Sequence, residues 1–356
     1  MYRSGLRTPE LKLFIISEKS FSCYVEEMES VLDFGDIPAE VLMELYNIML
    51  EIRRTELKIA ELYHEDEMKT PIHLCIGQEA VAAGICANLT AEDYVFSNHR
   101  GHGHYIAKKG NLKSMIAELY NRESGCSRGR GGSMHLIDIL AGLLGSSSIV
   151  AGGIPIATGA ALASMLRKDH RVTAVFFGDG AAEEGALYES INFAVLKKLP
   201  IIYVCENNFY SVCSPLKQRQ PCMDIYKRAE GFSIPSCKID GNDVIEVYKT
   251  AKRAVTCARC GEGPSFIECK TYRLTDHHGT GTGVEAGYRA QEELDRWAKK
   301  CPIKKIEDLL IHEGVFTENE LAHKLKKIDE RIEEAFVYAR SCPFPDKDEL
   351  LRDVYC

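Results

Sequence analysis

The sequence predicts an α/β fold, a parallel sheet with helices on both faces and helical extensions at the two ends of the chain. Three observations lead there. Apolar-rich runs at 171–177 ("RVTAVFF"), 200–205 ("PIIYVC") and 265–273 ("SFIECKTYR") alternate with segments long enough for helices. The first two runs end in polar pairs of unusual chemistry, Gly-Asp-Gly at 178–180 and Asn207-Asn208. The length, 356 residues, holds one large α/β core with appendages.

Taken in order, residues 38–68 place apolar side chains every three to four positions, with Pro38 suited to a first helical turn; they predict a long amphipathic helix. After Pro71, the stretch to Gly110 predicts a short helix, a short strand at "DYVFS" (93–97) and a Gly-His loop. Residues 125–153 are rich in glycine and serine and predict loops that carry function. A small-residue helix (154–168), the strand at 171–177, a helix at 182–198 and the strand at 200–205 follow. The strand "SCKID" (236–240), a helix from Val244 to Arg259 and the strand at 265–273 repeat the order, which calls for right-handed crossovers. From Tyr288 onward the chain is polar, helical and peripheral. The expected division is an N-terminal extension (1–37), an α/β domain (38–287) and a helical region (288–356) packed on that domain or on a partner.

Composition narrows the function. With 44 basic and 52 acidic side chains the formal charge is −8, without a long basic block, so no nucleic-acid partner and no acidic membrane surface is expected. No apolar run approaches the ~20 residues that cross a bilayer. Fourteen cysteines lie singly in apolar runs, the pattern of reduced thiols. Cys257 and Cys260 form a lone Cys-x-x-Cys with no second pair at zinc-finger spacing. Residues 1–22 show no cleavage pattern of small residues, and a cytoplasmic location is expected, a mitochondrial leader being the other reading.

In open parallel sheets ligands sit beyond the carboxyl ends of the strands. Asp179 and Asn208 follow neighbouring runs, and the 26 residues between Gly180 and Asn207 suffice for a helix and a strand. A crossover therefore delivers both side chains to one edge. Gly178 and Gly180 permit close backbone approach, and amides opening the next helix favour an anion. A carboxylate and an amide oxygen are hard ligands of the type Mg²⁺ takes when phosphates complete its shell. Gly-Asp-Gly alone is usually a plain strand-to-helix turn; Asn-Asn after the next strand turns the reading towards a magnesium diphosphate seat.

These two motifs resemble the thiamine-diphosphate motif. With "HLCIGQEA", "HRGHGH", "GRGGSMH", "IVAGGIPIATGAALA" and "KTYR", the chain resembles, from about residue 40 to 340, the alpha subunit of the decarboxylating component of the 2-oxo acid dehydrogenase complexes, a family with pyruvate, acetoin and branched-chain members. The resemblance implies a thiamine-diphosphate-binding fold and Mg²⁺ held by Asp179, Asn208 and the main-chain carbonyl of Tyr210. It implies that the amides of Gly180 and Ala181 and the Arg100 guanidinium meet the diphosphate, a task suited to paired donors. Main-chain groups of Ser148 and Val150 would meet the aminopyrimidine ring; serine here replaces the family's glycine, which a positive φ would make costly.

Among the histidines, the resemblance makes His277 the loop histidine that positions cofactor and intermediates, and His135 an active-site histidine; His102 is a third candidate for proton transfer. His99 stands where pyruvate-type subunits have tyrosine, and "HRGHGH" looks more like the acetoin type. The loop after His277, "HGTGTGVEAGYR", departs from the serine-rich phosphorylated loop of mitochondrial pyruvate subunits, leaving Thr280 and Thr282. No motif supplies the glutamate that activates the cofactor, and no second α/β run follows. The expected partners are therefore a beta subunit carrying that residue in an α₂β₂ assembly, a lipoyl acyltransferase, and a small 2-oxo acid or acetoin. A half-transketolase or carboligase, and a non-catalytic assembly subunit, stay open at this point.

Overall fold

The computed structural model describes residues 37–352; the expected N-terminal extension lies, Ile37 aside, outside the described residues. Its frame is a six-stranded, wholly parallel sheet of strands β1 (Tyr94–Asn98), β2 (Leu143–Ser147), β3 (Thr173–Gly178), β4 (Ile201–Asn207), β7 (Ser236–Asp240) and β8 (Ser265–Lys270), in the order β2-β1-β3-β4-β8-β7. A two-residue hairpin, β5 (Tyr210–Ser211) with β6 (Ser214–Pro215), follows β4.

Side-chain alternation along the central strands sorts the core into two layers. Ala174, Phe176, Ile202, Val204 and Ile267 join the layer shared with α1 (Ala39–Leu62), α2 (Glu79–Cys86) and, later in the chain, α7 (Val244–Arg259). Val175, Phe177, Ile201, Tyr203 and Phe266 face α5 (Gly153–Arg167) and α6 (Gly185–Lys197). Buried on both faces, β3 and β4 read as continuous apolar runs, which is why both were legible.

Other elements depart from the sequence expectation. The expected Gly-His loop folds into α3 (His102–Ala107), entered through the Asn98 side chain, which accepts the Arg100 N–H at 2.7 Å. Residues 112–119 form α4 (Leu112–Leu119), capped by Asn111. Inside the segment expected as loops, β2 is a strand because β1 pairs with it; its "LLGSS" carries only one fully buried apolar residue, Leu143, and no periodic signal. The C-terminal helices α8 (Gln291–Ala298), α9 (Pro302–His312) and α10 (Glu318–Ser341) are less peripheral than expected. Ile303, Ile306, Leu310, Ile332, Ala335, Phe336 and Ala339 belong to the same core layer as α1 and α2.

The segment following α4 is organised by one buried acid. Glu118 has no cationic partner among the described residues; its carboxylate accepts the N–H groups of Ser127, Gly129, Gly131 and Gly132 at 2.7–2.9 Å. A charge that is fully buried survives when several backbone dipoles solvate it.

Candidate active site

The order in which strands are added reverses between β1 and β3: from β1 the next strand lies to one side, from β3 to the other. Loops leaving the carboxyl ends of β1, β2, β3 and β4 surround a cleft at that point, where the topology of an open α/β sheet leaves a crevice.

On one wall, β3 and β4 pair in register through Gly178 opposite Glu206, so Asp179 and Asn208 emerge side by side. Asp179 is buried, and burial pushes its carboxyl above the usual carboxylate range while the Arg219 cation pulls it back. Arg219 pairs with both Asp179 and Glu183. The Asn208 amide nitrogen donates to Gln78 Oε1 at 3.1 Å, which orients its oxygen; that oxygen accepts from the Tyr210 N–H (3.3 Å) and Arg273 Nε (3.4 Å). Tyr210 turns its hydroxyl to Glu293 and lines the cleft beside Gly180 and Ala181. Gly180 is a close approach: a β-carbon there would stand 2.5 Å from Ser211 Oγ. A carboxylate oxygen and an amide oxygen on one edge are the hard donors a divalent cation takes, and Arg219 is the cation such an ion would displace from Asp179.

Behind this wall three buried arginines, Arg100, Arg273 and Arg289, hydrogen-bond to uncharged oxygens and form no ion pair among the described residues. Arg100 donates to the Leu74 carbonyl (2.5 Å) and the His277 carbonyl (3.3 Å) and lines the cleft. Burial, then the neighbouring Arg273 cation, lowers its pKa. Surplus buried positive charge beside a cation seat suits an anion that binds both, as a metal-bound diphosphate does.

The opposite wall is imidazole. His73, His99 and His277 meet edge to face with ring centroids 4.8–5.4 Å apart. Burial, reinforced by the Arg100 cation, lowers their pKa values to about 4, about 2 and about 3 respectively, so all three are neutral at pH 7. Ser148 and Val150 line the mouth. Ser148 has no left-handed backbone; the positive φ falls at Ala151 (60°), so serine in place of glycine carries no strain of that kind.

Two other candidates lie elsewhere. His102 is wholly buried behind the cleft, Nδ1 at 3.1 Å from Glu56 and Nε2 at 2.8 Å from Ser133 Oγ, and does not line it. Both nitrogens are engaged, so it ties α1 to the 132–134 turn. His135 is exposed and likewise outside the lining. Sequence reasoning gave no role to His73, Gln78, Glu206, Arg219 or Arg273, all buried or half-buried about the cleft. His73, Gln78 and Arg273 stand inside motifs already noted, "HLCIGQEA" and "KTYR"; for Arg219 no local pattern exists. Glu206 and Asp179 are the carboxylates on the lining, and Glu206 is engaged by Gln78 (3.5 Å) and Asn98 (3.4 Å).

Fold and cleft define an α/β enzyme with its site at the switch point, cation donors and anion donors side by side. The family model of the dehydrogenase E1 component matches residues 47–348. The alpha subunit of acetoin:2,6-dichlorophenolindophenol oxidoreductase from Bacillus subtilis is 38% identical over 317 residues, 89% of this chain and 94% of the relative. The pyruvate dehydrogenase E1 component subunit alpha of Porphyra purpurea is 38% identical over 321 residues, 88% of this chain and 92% of the relative. The testis-specific mitochondrial form of that subunit in Homo sapiens is 34% identical over 314 residues, 88% and 79% of the two chains. The chain belongs to the dehydrogenase E1 component family. It is an oxidoreductase component, and the family implies thiamine diphosphate as cofactor.

Proposed function

We propose that this chain is the alpha subunit of a thiamine-diphosphate-dependent dehydrogenase acting on pyruvate or another 2-oxo acid, or on acetoin, with the cofactor anchored through Mg²⁺. The observation that carries the proposal is the emergence of Asp179 and Asn208 side by side from two paired strands, against a cluster of unpaired arginine charge. Asp179, Asn208 and the Tyr210 carbonyl hold the metal; the amides of Gly180 and Ala181 and the Arg100 guanidinium hold the diphosphate; Ser148 and Val150 offer main-chain groups to the ring. When bound, the cofactor supplies a carbon nucleophile and an electron sink for cleavage beside an oxo group. His99 and His277, neutral at pH 7, face the seat as uncharged imidazoles that orient the cofactor and its adducts by hydrogen bonding.

The cleft borders exposed apolar side chains. Ile149 and Val150 at its mouth and Ile156 in the first turn of α5 are all more than half exposed. That surface supports a beta subunit docked there, completing the site in an α₂β₂ assembly and contributing the activating glutamate; a lipoyl acyltransferase then takes the acyl group. No helix among the described residues is long and apolar enough to cross a membrane. No disulfide joins the described cysteines, which supports a reducing compartment such as the cytoplasm.

The test is to co-produce the chain with its beta partner and titrate thiamine diphosphate in Mg²⁺, following lipoamide acylation from pyruvate and from acetoin. Asp179→Asn should leave the assembly intact and abolish cofactor binding at micromolar concentrations. Wild-type binding and turnover in that variant would refute the proposal.

A further inference from the structure

A second recess opens between the segment 209–217 and α8, and of the described residues only Tyr210 lines both it and the cleft. Its volume is about 260 Å³. That is just under the roughly 300–1,000 Å³ of sites for drug-sized ligands, and it suits a metabolite. The walls are apolar: Phe209 and Trp297, with ring centroids 5.6 Å apart, are joined by Pro215, Leu216 and the exposed Met223.

The charge around these walls has one sign. Lys217 and Arg296 line the recess at exposed positions, and their side chains form no ion pair among the described residues. Lys270 and Lys300 stand 5.4 Å and 4.8 Å from the centres of the Phe209 and Trp297 rings and add to the positive field. Glu293 is the lone carboxylate on the described lining, and the Tyr210 hydroxyl already donates to it at 3.0 Å. Unpaired cations around an aromatic recess repel a cationic ligand and draw an anion with an apolar body. Arginine suits a carboxylate in particular, because its donors come in pairs.

We propose that this recess is an effector site for a small organic carboxylate with an aromatic or branched apolar body, held by Lys217 and Arg296 against Phe209 and Trp297. Its occupant braces the hairpin. β5 and β6 join through two residue pairs, Tyr210 with Pro215 and Ser211 with Ser214, and so short a ribbon is marginal alone. A ligand between the hairpin and α8 adds contacts on the side where Tyr210 reaches Glu293. Tyr210 also lends its carbonyl to the metal seat, so occupancy tightens cofactor binding. That consequence rests on the proposed function; the site itself does not.

The experiment uses the full chain with its partner subunit and 3-phenylpropionate as the probe, with 3-phenylpropanamide and inorganic phosphate as comparisons. Calorimetry without cofactor should show saturable binding of the acid with a Kd of about 0.1–1 mM, about tenfold weaker binding of the amide, and none of phosphate. Lys217→Gln and Arg296→Gln, both at exposed positions, should each weaken the acid about threefold and together about tenfold, with the amide unchanged. Trp297 is the chain's single tryptophan, so Trp297→Phe should remove the fluorescence change that accompanies binding. In Mg²⁺ the acid should tighten thiamine diphosphate about fivefold, and the cofactor should tighten the acid by the same factor. Equal affinity for acid and amide, phosphate binding as tightly as the acid, or a double variant that binds like wild type would overturn the site. Cofactor affinity that the acid leaves unchanged would overturn its role as an effector. Binding of the acid is read without cofactor, so failure of the recess and failure of the proposed function give different results.

Discussion

Gly180→Ala tests the contact between Gly180 and Ser211 beside the proposed oxygen seat. Its φ is not in the left-handed region, so alanine meets no backbone objection and the effect comes from the new methyl group. That carbon would sit 2.5 Å from Ser211 Oγ and 3.0 Å from Ser211 Cβ. The hydroxyl can rotate away, but the Ser211 Cβ moves only with its backbone, which also carries the neighbouring Tyr210 carbonyl. Overpacking of this kind costs about 1–3 kcal/mol. Loss of glycine's freedom in the unfolded chain offsets about 0.4–1 kcal/mol of it. The net expectation is about 1–2 kcal/mol by urea denaturation and, because the displaced turn carries the seat, a thiamine diphosphate affinity in Mg²⁺ weakened about tenfold. Ser211→Gly deletes both contacted atoms, so the double variant should recover most of both losses. A single variant as stable and as tight as wild type, or a double variant no better than the single, would show that the contact does not shape the seat.

Other perturbations have equally specific outcomes. Glu118→Gln keeps one acceptor oxygen for four backbone donors and should cost about 3 kcal/mol or more of stability by denaturant titration, with the damage centred on residues 127–132 in hydrogen exchange. The three cleft histidines resist protonation when folded but titrate near 6.5 unfolded, so their contribution is complete above pH 6.5 and is lost as pH falls towards 4. Between pH 6 and pH 5 each removes about 1.2 kcal/mol, and His99→Gln should flatten that part of the stability profile by about a third. Arg219→Gln leaves the Asp179 carboxylate buried without its cation, so the free protein should melt lower while Mg²⁺ with thiamine diphosphate raises the midpoint by more than in wild type.

How much of this was legible depended on where the physical constraint lies. β3, β4, β7 and α7 were read within a few residues because buried parallel strands and an amphipathic helix write their period into the chain. That Asp179 and Asn208 reach one cleft was legible for the same reason, as both follow the carboxyl ends of buried strands. β2 was not, since an edge strand of "LLGSS" takes its conformation from β1 rather than from its own side chains. Nor was α3, in which His102 is buried by partners from distant segments, Glu56 and Ser133, and His104 by Ser97 at the end of β1. The imidazole wall escaped because His73 lies 26 residues before His99 and 204 before His277, a separation with no period to detect.

The two walls of the cleft consequently differ in how they tolerate change. Position on the oxygen wall is fixed by six consecutive pairs between β3 and β4. A slip of one residue would turn Phe176 and Val204 out of one core layer and into the other, so the core itself enforces the register. The imidazole wall has no such guarantor: Arg100 links the Leu74 and His277 carbonyls, and the Gly279 N–H reaches the Ile72 carbonyl at 2.9 Å. These are single bonds between loops, each worth about 0.5–1.5 kcal/mol net, or up to about 3 where the charged guanidinium donates. A family that keeps one cofactor while changing its substrate can vary the second wall without disturbing the first. His99, one residue beyond the end of β1, sits where that freedom begins.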